Sequence, residues 1–357
     1  METATSEAGS SVEEVPDPAK CITSKYEFIE DFISYPDFLA VTKKYPFFST
    51  KYYLSLAKYD YSDPILRQLC PSIEELHENE GALDDPLAEE RDSPVPGIVH
   101  RYADRVLMLT TNVCFMNCRH CTRKRLWKYG RFVYRPEEIQ AMINYIQQNP
   151  QIRDVILSGG DPLTLSNDML DDILGRLRAI KHIEVIRIGT RAPVVFPQRI
   201  DDGLVKVLKK HRPLWLNTQF NHENEITDQS SSAISRLLEA GALVNNQSVL
   251  LKDINDNVEA ISALCRKLLT IGVRPYYLFH CDPSSGTLHF RTSISSGIEI
   301  IEKMRGKTSG LAIPTYVVDA VNGGGKIPLQ PNYLVFRQEG KVVLRNYKWQ
   351  QFEYMEK

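Results

Sequence analysis

The chain has 357 residues, 43% of them hydrophobic and 25% charged, with a formal charge of -2. That length suits one large α/β barrel or two ordinary domains, and the composition is that of a folded globular protein rather than a disordered one. The near-neutral balance leaves no electrostatic footprint for nucleic acid, and no apolar run approaches the roughly 20 residues that cross a bilayer. The expected partners are therefore small molecules, with no nucleic acid and no membrane, in a cytoplasmic setting.

Residues 1–20 are acidic and Ser-rich, without a basic start or an apolar stretch, and read as a disordered leader rather than a secretory signal. Residues 21–95 follow as a helical N-terminal region. Its pattern from Ser24 to Asn79 is short, aromatic-rich and helical, with breaks at Asp60, Ser62, Asp63 and Pro64. A turn-rich run from Asp84 to Gly97 closes it. From 96 to 310, short β-branched or apolar runs alternate with helical periodicity, the signature of repeated βα units on a parallel sheet. The expected strands are Val106 to Leu109, Val155 to Ser158, Val185 to Ile188, Leu214 to Thr218, Leu243 to Leu250 and Tyr276 to Phe279. Between them, Ile139, Met142, Ile143 and Ile146, then Leu170, Ile173, Leu174 and Leu177, then Ile234, Leu237 and Leu238, mark buried helix faces, the last ending at Gly241. Six strands imply an α/β partial barrel or an open curved sheet. The seven cysteines are odd in number, and Cys21, Cys70, Cys265 and Cys281 are scattered, which argues against a disulfide framework.

The other three cysteines stand at Cys114-x-x-x-Cys118-x-x-Cys121, just after the first strand. Three thiolates can bind three irons of a 4Fe–4S cluster and leave the fourth iron open to a small molecule. A structural zinc site is the bland alternative, but zinc prefers four ligands in paired short spacings, and no second Cys or His pair lies close by. The spacing resembles the radical-SAM site, with His120 where an aromatic residue is usual. The resemblance implies S-adenosylmethionine on the open iron, split by one electron into a radical that takes hydrogen from an unactivated C–H bond.

Leu157-Ser158-Gly159-Gly160-Asp161-Pro162 follows the second strand. Two glycines let backbone approach a ligand closely and Asp161 can accept from an ammonium, although many tight strand-to-helix turns look alike. Its place after the cysteines resembles the element that holds the methionine amino group in radical-SAM proteins, making Ser158, Gly159, Gly160 and Asp161 candidate cofactor contacts. Gly189-Thr190-Arg191 and Gln247-Ser248 either face the same cofactor or are ordinary loop and strand groups. Within residues 311–357 stands Asn322-Gly323-Gly324-Gly325-Lys326-Ile327-Pro328. A Walker P-loop does not fit, because Ile327 occupies the place of the magnesium-binding Ser or Thr. The functional reading is a Schiff-base lysine on a flexible glycine run; the plain one is a solvated Lys in a turn.

The ordered motifs His100-Arg101-Tyr102-Ala103-Asp104-Arg105, Cys118-Arg119-His120-Cys121-Thr122-Arg123, Leu157 to Leu163, Asn221 to Thr227, Cys281-Asp282, His289-Phe290-Arg291-Thr292 and Pro314 to Ala320 resemble the lysine 2,3-aminomutase family from about Asp85 to Tyr347. The resemblance implies a partial (βα)6 radical-SAM barrel with a C-terminal segment that carries the lysine for pyridoxal 5′-phosphate. By position, Lys326 would bind that cofactor covalently, and Arg101, Tyr102 and Arg105 would hold its phosphate. Arg123 would pair with the substrate carboxylate, Asp282 and Asp319 with its side-chain ammonium, and Gln247 would contact S-adenosylmethionine. The implied reaction is a 1,2-amino shift from C2 to C3 of L-lysine, giving β-lysine with S-adenosylmethionine regenerated. A carboxylate side chain would meet two like charges, so glutamate is disfavoured and arginine is the close rival.

Two departures from the family pattern stand out. Gln219 lies where His is usual, so one contact to S-adenosylmethionine is expected to differ. No cysteine follows Cys281, so no zinc site is expected. An electron donor such as flavodoxin or ferredoxin, and association into a homo-oligomer, are further implications of the resemblance. A radical-SAM enzyme modifying a macromolecule and a non-enzymatic metal module are the alternatives; the first has no need of Lys326, and the second would hold zinc without iron or sulfide.

Overall fold

The computed structural model describes residues 22–58, 60–77 and 80–356. The expected leader lies outside them. In the N-terminal region, two-residue strands β1 (Ile22–Thr23) and β2 (Ser49–Thr50) pair antiparallel. Around them stand the helices Tyr35–Lys44, Lys51–Ser55 and Pro64–Leu69. Each starts where its sequence supplies a cap: Ser34, Thr50 and Asp63 accept from backbone N–H groups of the first turn.

The main sheet has nine strands in chain order: β3 (Ile98–Tyr102), β4 (Arg105–Thr111), β5 (Asp154–Gly159), β6 (Val185–Gly189), β7 (Leu214–Thr218), β8 (Ala242–Leu250), β9 (Arg274–His280), β10 (Thr315–Ala320) and β11 (Gly325–Leu329). The parallel core β4 to β9 contains all six expected strands. The sheet is longer than expected, because β10 adds a seventh parallel strand and β3 and β11 close its edges antiparallel. It therefore runs through the boundary expected at 310/311. Within the C-terminal segment, β12 (Leu334–Gln338), β13 (Lys341–Arg345) and β14 (Gln351–Met355) form a separate sheet.

Helices pack on the outside of the main sheet, and their buried faces are largely those the periodicity marks. Ile139, Met142, Ile143 and Ile146 are buried in the helix Pro136–Gln148, as are Leu170, Ile173, Leu174 and Leu177 in Asn167–Ala179. In Asp228–Glu239, Ile234 and Leu237 are buried but Leu238 is 38% exposed. Gly241 follows that helix with φ +80°, the left-handed conformation that ends helices.

Strand alternation then separates core from cavity. On β5, Val155 and Leu157 are buried against the helices, while Asp154, Ile156 and Ser158 line an interior cavity of about 730 Å³. Ile186 and Ile188 of β6 likewise point outward, and Arg187 and Gly189 inward. A side chain bridges the two edge strands: the Lys326 backbone N–H on β11 donates to the Tyr102 hydroxyl on β3, 2.9 Å away. Among the described residues, no helix is long and apolar enough to cross a membrane.

Candidate active site

The loop after β4 carries the cysteine motif into the cavity. Cys114, Cys118 and Cys121 all line it, each partly exposed to it. Burial, then Cys121 and Asp161, push Cys114 well above the ordinary thiol range, and burial with Cys118 raises Cys121, so these two are held as thiolates only by a positive centre. Among the described residues, no three metal-binding side chains converge as they would around one ion. A 4Fe–4S cluster takes one iron per thiolate, so its ligands stand further apart than those of a single ion. His120 also lines the cavity, and its Nδ1 is buried without a hydrogen-bond partner among the described residues. Gln219, where the family pattern has His, also lines the cavity, and its Nε2 lies 3.1 Å from His120 Nε2, so the two side chains form a pair.

The N-terminal region holds this loop from behind, which no sequence signal announces. Glu75, buried, takes Arg119 through both oxygens at 2.9 and 2.6 Å and Lys124 at 2.6 Å. The backbone N–H groups of Asn117 and Arg119 donate to Phe48 O and Gln68 O, both at 2.9 Å. Burial favours a neutral Glu75, but Arg119 and Lys124 outweigh it and hold the carboxyl below its usual range. Glu75→Gln leaves two buried cations without their carboxylate and is expected to cost about 3–5 kcal/mol. Urea unfolding checks this; a loss under about 1 kcal/mol would contradict the assignment.

The Gly-Gly-Asp turn works differently from its sequence reading. A Cβ on Gly159 would stand 2.0 Å from Thr111 O, and one on Gly160 2.1 Å from Val113 O. The glycines thus admit the backbone that leads to Cys114, besides lining the cavity. Asp161 is engaged within the fold: it accepts from Thr190 Oγ1 at 2.7 and 2.9 Å, from Arg191 N at 2.8 Å and from Leu163 N at 3.0 Å. Its carboxylate braces the loop after β6 and is not an open ammonium acceptor. Gln247 faces the cavity from a β8–β9 register shift, whereas Ser248 turns away and donates to Phe220 O at 2.8 Å.

At the other side of the cavity, Lys326 is on a strand rather than on a free loop. It sits opposite Asp319 in the β10–β11 ladder, and its Nζ donates to both carboxylate oxygens at 2.9 and 3.0 Å. The preceding residues make the hairpin turn, with Asn322 at φ 56° and Gly323 at φ 71°. Nζ also lies 4.9 Å from the Phe279 ring centre. Asp282, after β9, accepts from Thr122 Oγ1 at 3.1 Å. Burial first, then the nearby Asp319, push it up to about 7.

The three arginine candidates also line the cavity. Arg105 stacks on the Tyr102 ring at 3.8 Å and, among the described residues, ion-pairs only with the half-exposed Asp104, so its charge is available to an anion. Arg101 is more engaged, donating to Asp92 at 3.0 Å and to Leu87 O. Arg123 has a partner the sequence did not reveal: Nε and Nη2 grip Glu89, the closest contact 2.7 Å, and Nη1 points to Ser158 Oγ and Gly159 O at 3.4 and 3.2 Å. Arg125 also binds Glu89, and the two guanidiniums overcome burial to hold that carboxyl at about 2. The Arg123 fork is thus oriented by Glu89, with Nη1 held against Ser158 and Gly159 on the cavity wall.

Ser248 apart, the sequence-derived candidates named above therefore line one cavity: the three thiols, the Gly-Gly-Asp turn and Gln247, and Lys326 with its arginines and acids. The family profile described as Radical SAM superfamily matches residues 108–265, and the one described as Lysine-2,3-aminomutase matches residues 301–357. The L-lysine 2,3-aminomutase of Clostridium subterminale is 52% identical over 84% of this chain and 72% of that protein. That of Bacillus subtilis is 51% identical over 86% and 65%, and the glutamate 2,3-aminomutase of Clostridioides difficile 45% over 83% and 70%. With that identity spread across most of both chains and the matching cysteine and lysine elements in one cavity, the chain belongs to the lysine 2,3-aminomutase family of radical-SAM enzymes.

Proposed function

We propose that the protein moves the α-amine of L-lysine to C3, giving β-lysine, with pyridoxal 5′-phosphate bound at Lys326. The observation that carries this reading is the Lys326–Asp319 ion pair, with Asp282 beside it, in the cavity that the three cysteines also line. When bound, the cluster and S-adenosylmethionine supply one-electron cleavage and hydrogen abstraction, and pyridoxal phosphate supplies a conjugated carrier for the amine. Cys114, Cys118 and Cys121 would hold the cluster, and Arg105, Tyr102 and Arg101 would hold the phosphate.

The chain's own groups do the remaining work. Asp319 keeps Lys326 Nζ in place and is the nearest group able to take its proton. Once Nζ leaves that pair, Asp319 is open to the ammonium of a lysine substrate, with Asp282 as second acceptor. Arg123, oriented by Glu89, would turn Nη1 from Ser158 Oγ and Gly159 O to the substrate carboxylate. Together the acids and the arginine fix both ends of an extended cationic amino acid, which places its C3 between them. Two buried carboxylates at the side-chain end also repel an anionic substrate such as glutamate. A low-potential one-electron donor of the flavodoxin or ferredoxin kind would reduce the cluster.

The test is anaerobic incubation of the reconstituted protein with S-adenosylmethionine, pyridoxal phosphate, a strong reductant and L-lysine, arginine or glutamate. Many equivalents of β-lysine per S-adenosylmethionine are expected. β-Arginine without β-lysine would move the substrate assignment. No β-amino acid from any of them, with S-adenosylmethionine consumed, would refute the reading.

A further inference from the structure

Arg191 touches a cysteine of the cluster motif, and no step described above uses it. Its Nη1 donates to Cys118 Sγ at 2.8 Å. The other nitrogens are tied behind: Nη2 to Glu225 Oε1 and Gln68 Oε1, both at 2.6 Å, and Nε to Gln219 O at 3.1 Å. The Arg191 side chain is 8% exposed and that of Glu225 is fully buried. Glu225 is itself saturated, by Tyr53 OH at 2.6 Å and by the backbone N–H groups of Asn221 and His222 at 2.5 and 2.9 Å. The backbone N–H of Arg191 is anchored on Asp161. This guanidinium is therefore fixed with one edge on a single sulfur, and elements from 53 to 225 converge to hold it there.

We infer that Arg191 is a positioning residue that sets the reduction potential of the cluster. The inference rests on the reading of Cys118 as an iron ligand. When the cluster accepts one electron from an external low-potential donor, it becomes one charge more negative. A hydrogen bond and a positive charge on a ligating sulfur stabilise that form more than the oxidised one, and so raise the potential. Glu225 opposes the effect from the far side and, by holding Nη2, keeps Nη1 on the sulfur. A buried site magnifies both terms.

Potentiometric EPR of the reconstituted protein, without S-adenosylmethionine, reads this directly. Arg191→Gln is expected to make reduction at least tenfold less favourable, a fall of about 59 mV for a one-electron couple. Glu225→Gln, which leaves the guanidinium in place and removes its counter-charge, is expected to shift the potential upward. Opposite shifts in the two variants are not the mark of general damage. If Arg191→Gln fails to hold a cluster, Glu225→Gln decides alone, an upward shift supporting the inference and an unmoved potential overturning it. Potentials equal to wild type at wild-type iron and sulfide content would also overturn it, as would an Arg191→Gln variant whose only defect is weaker binding of S-adenosylmethionine. A wild-type protein that assembles no iron and sulfide would instead refute the cluster reading, and the inference with it.

Discussion

Lys326→Arg is expected to lower activity by more than about 10³-fold, the scale of removing a covalent nucleophile, while iron and sulfide content stays at the wild-type level. Arginine keeps a positive charge opposite Asp319, so the β10–β11 ion pair survives and the fold is spared an unpaired buried carboxylate. What it loses is the ability to become neutral, because a guanidinium stays protonated at any working pH and does not attack a carbonyl carbon. Borohydride treatment followed by peptide mass spectrometry separates the effects. The wild type should carry a pyridoxyl group on Lys326, and the variant none. A variant that retains a tenth of the activity would mean that Lys326 is only the ion-pair partner of Asp319.

Lysine affinity is expected to fall as pH drops below about 7, approaching tenfold per pH unit, and to level off above it. The cause is Asp282. Burial and the Asp319 charge raise it to about 7, while the Thr122 hydrogen bond and Lys326 pull it only partly back. An ammonium binds the ionised carboxylate, so below that value binding must first expel a proton from Asp282, and above it no proton is lost. Asp282→Asn removes the titrating group, and its KM for lysine should rise by roughly 30-fold or more, from about 2–5 kcal/mol of lost charge pairing, and become nearly flat with pH in this range. Measuring KM between pH 6 and 8 in both proteins checks the assignment. An unchanged slope in the variant would place the titration elsewhere.

What could be read from the sequence was local. The cysteine spacing names its chemistry because three thiolates in eight residues have few structural uses, and the parallel strands β4 to β9 are legible because each is a short apolar, β-branched or aromatic run in an alternation with helical periodicity. Strand β11 was not: its Lys326, Ile327 and Pro328 are exposed, so no apolar run marks it, and a glycine run reads as a flexible loop although it is a hairpin turn. The supporting charges were also illegible. Glu75 serves Arg119 and Lys124 from 44 and 49 residues away, and Glu89 serves Arg123 across 34. Each of these acids is ordinary in its own stretch of chain, and only the packing of the N-terminal region against the cysteine loop gives it a role. The Gly-Gly-Asp turn shows the converse, a motif placed correctly whose Asp161 carboxylate proves to be a brace.

The central claim is that the thiol side and the Lys326 side of one cavity act on one substrate. Incubation with lysine deuterated at C3, followed by mass spectrometry of recovered S-adenosylmethionine, tests it most directly. Deuterium in S-adenosylmethionine is predicted with wild type plus pyridoxal phosphate, and none with Lys326→Arg. Unlabelled S-adenosylmethionine alongside stoichiometric loss to deoxyadenosine and methionine would contradict the claim.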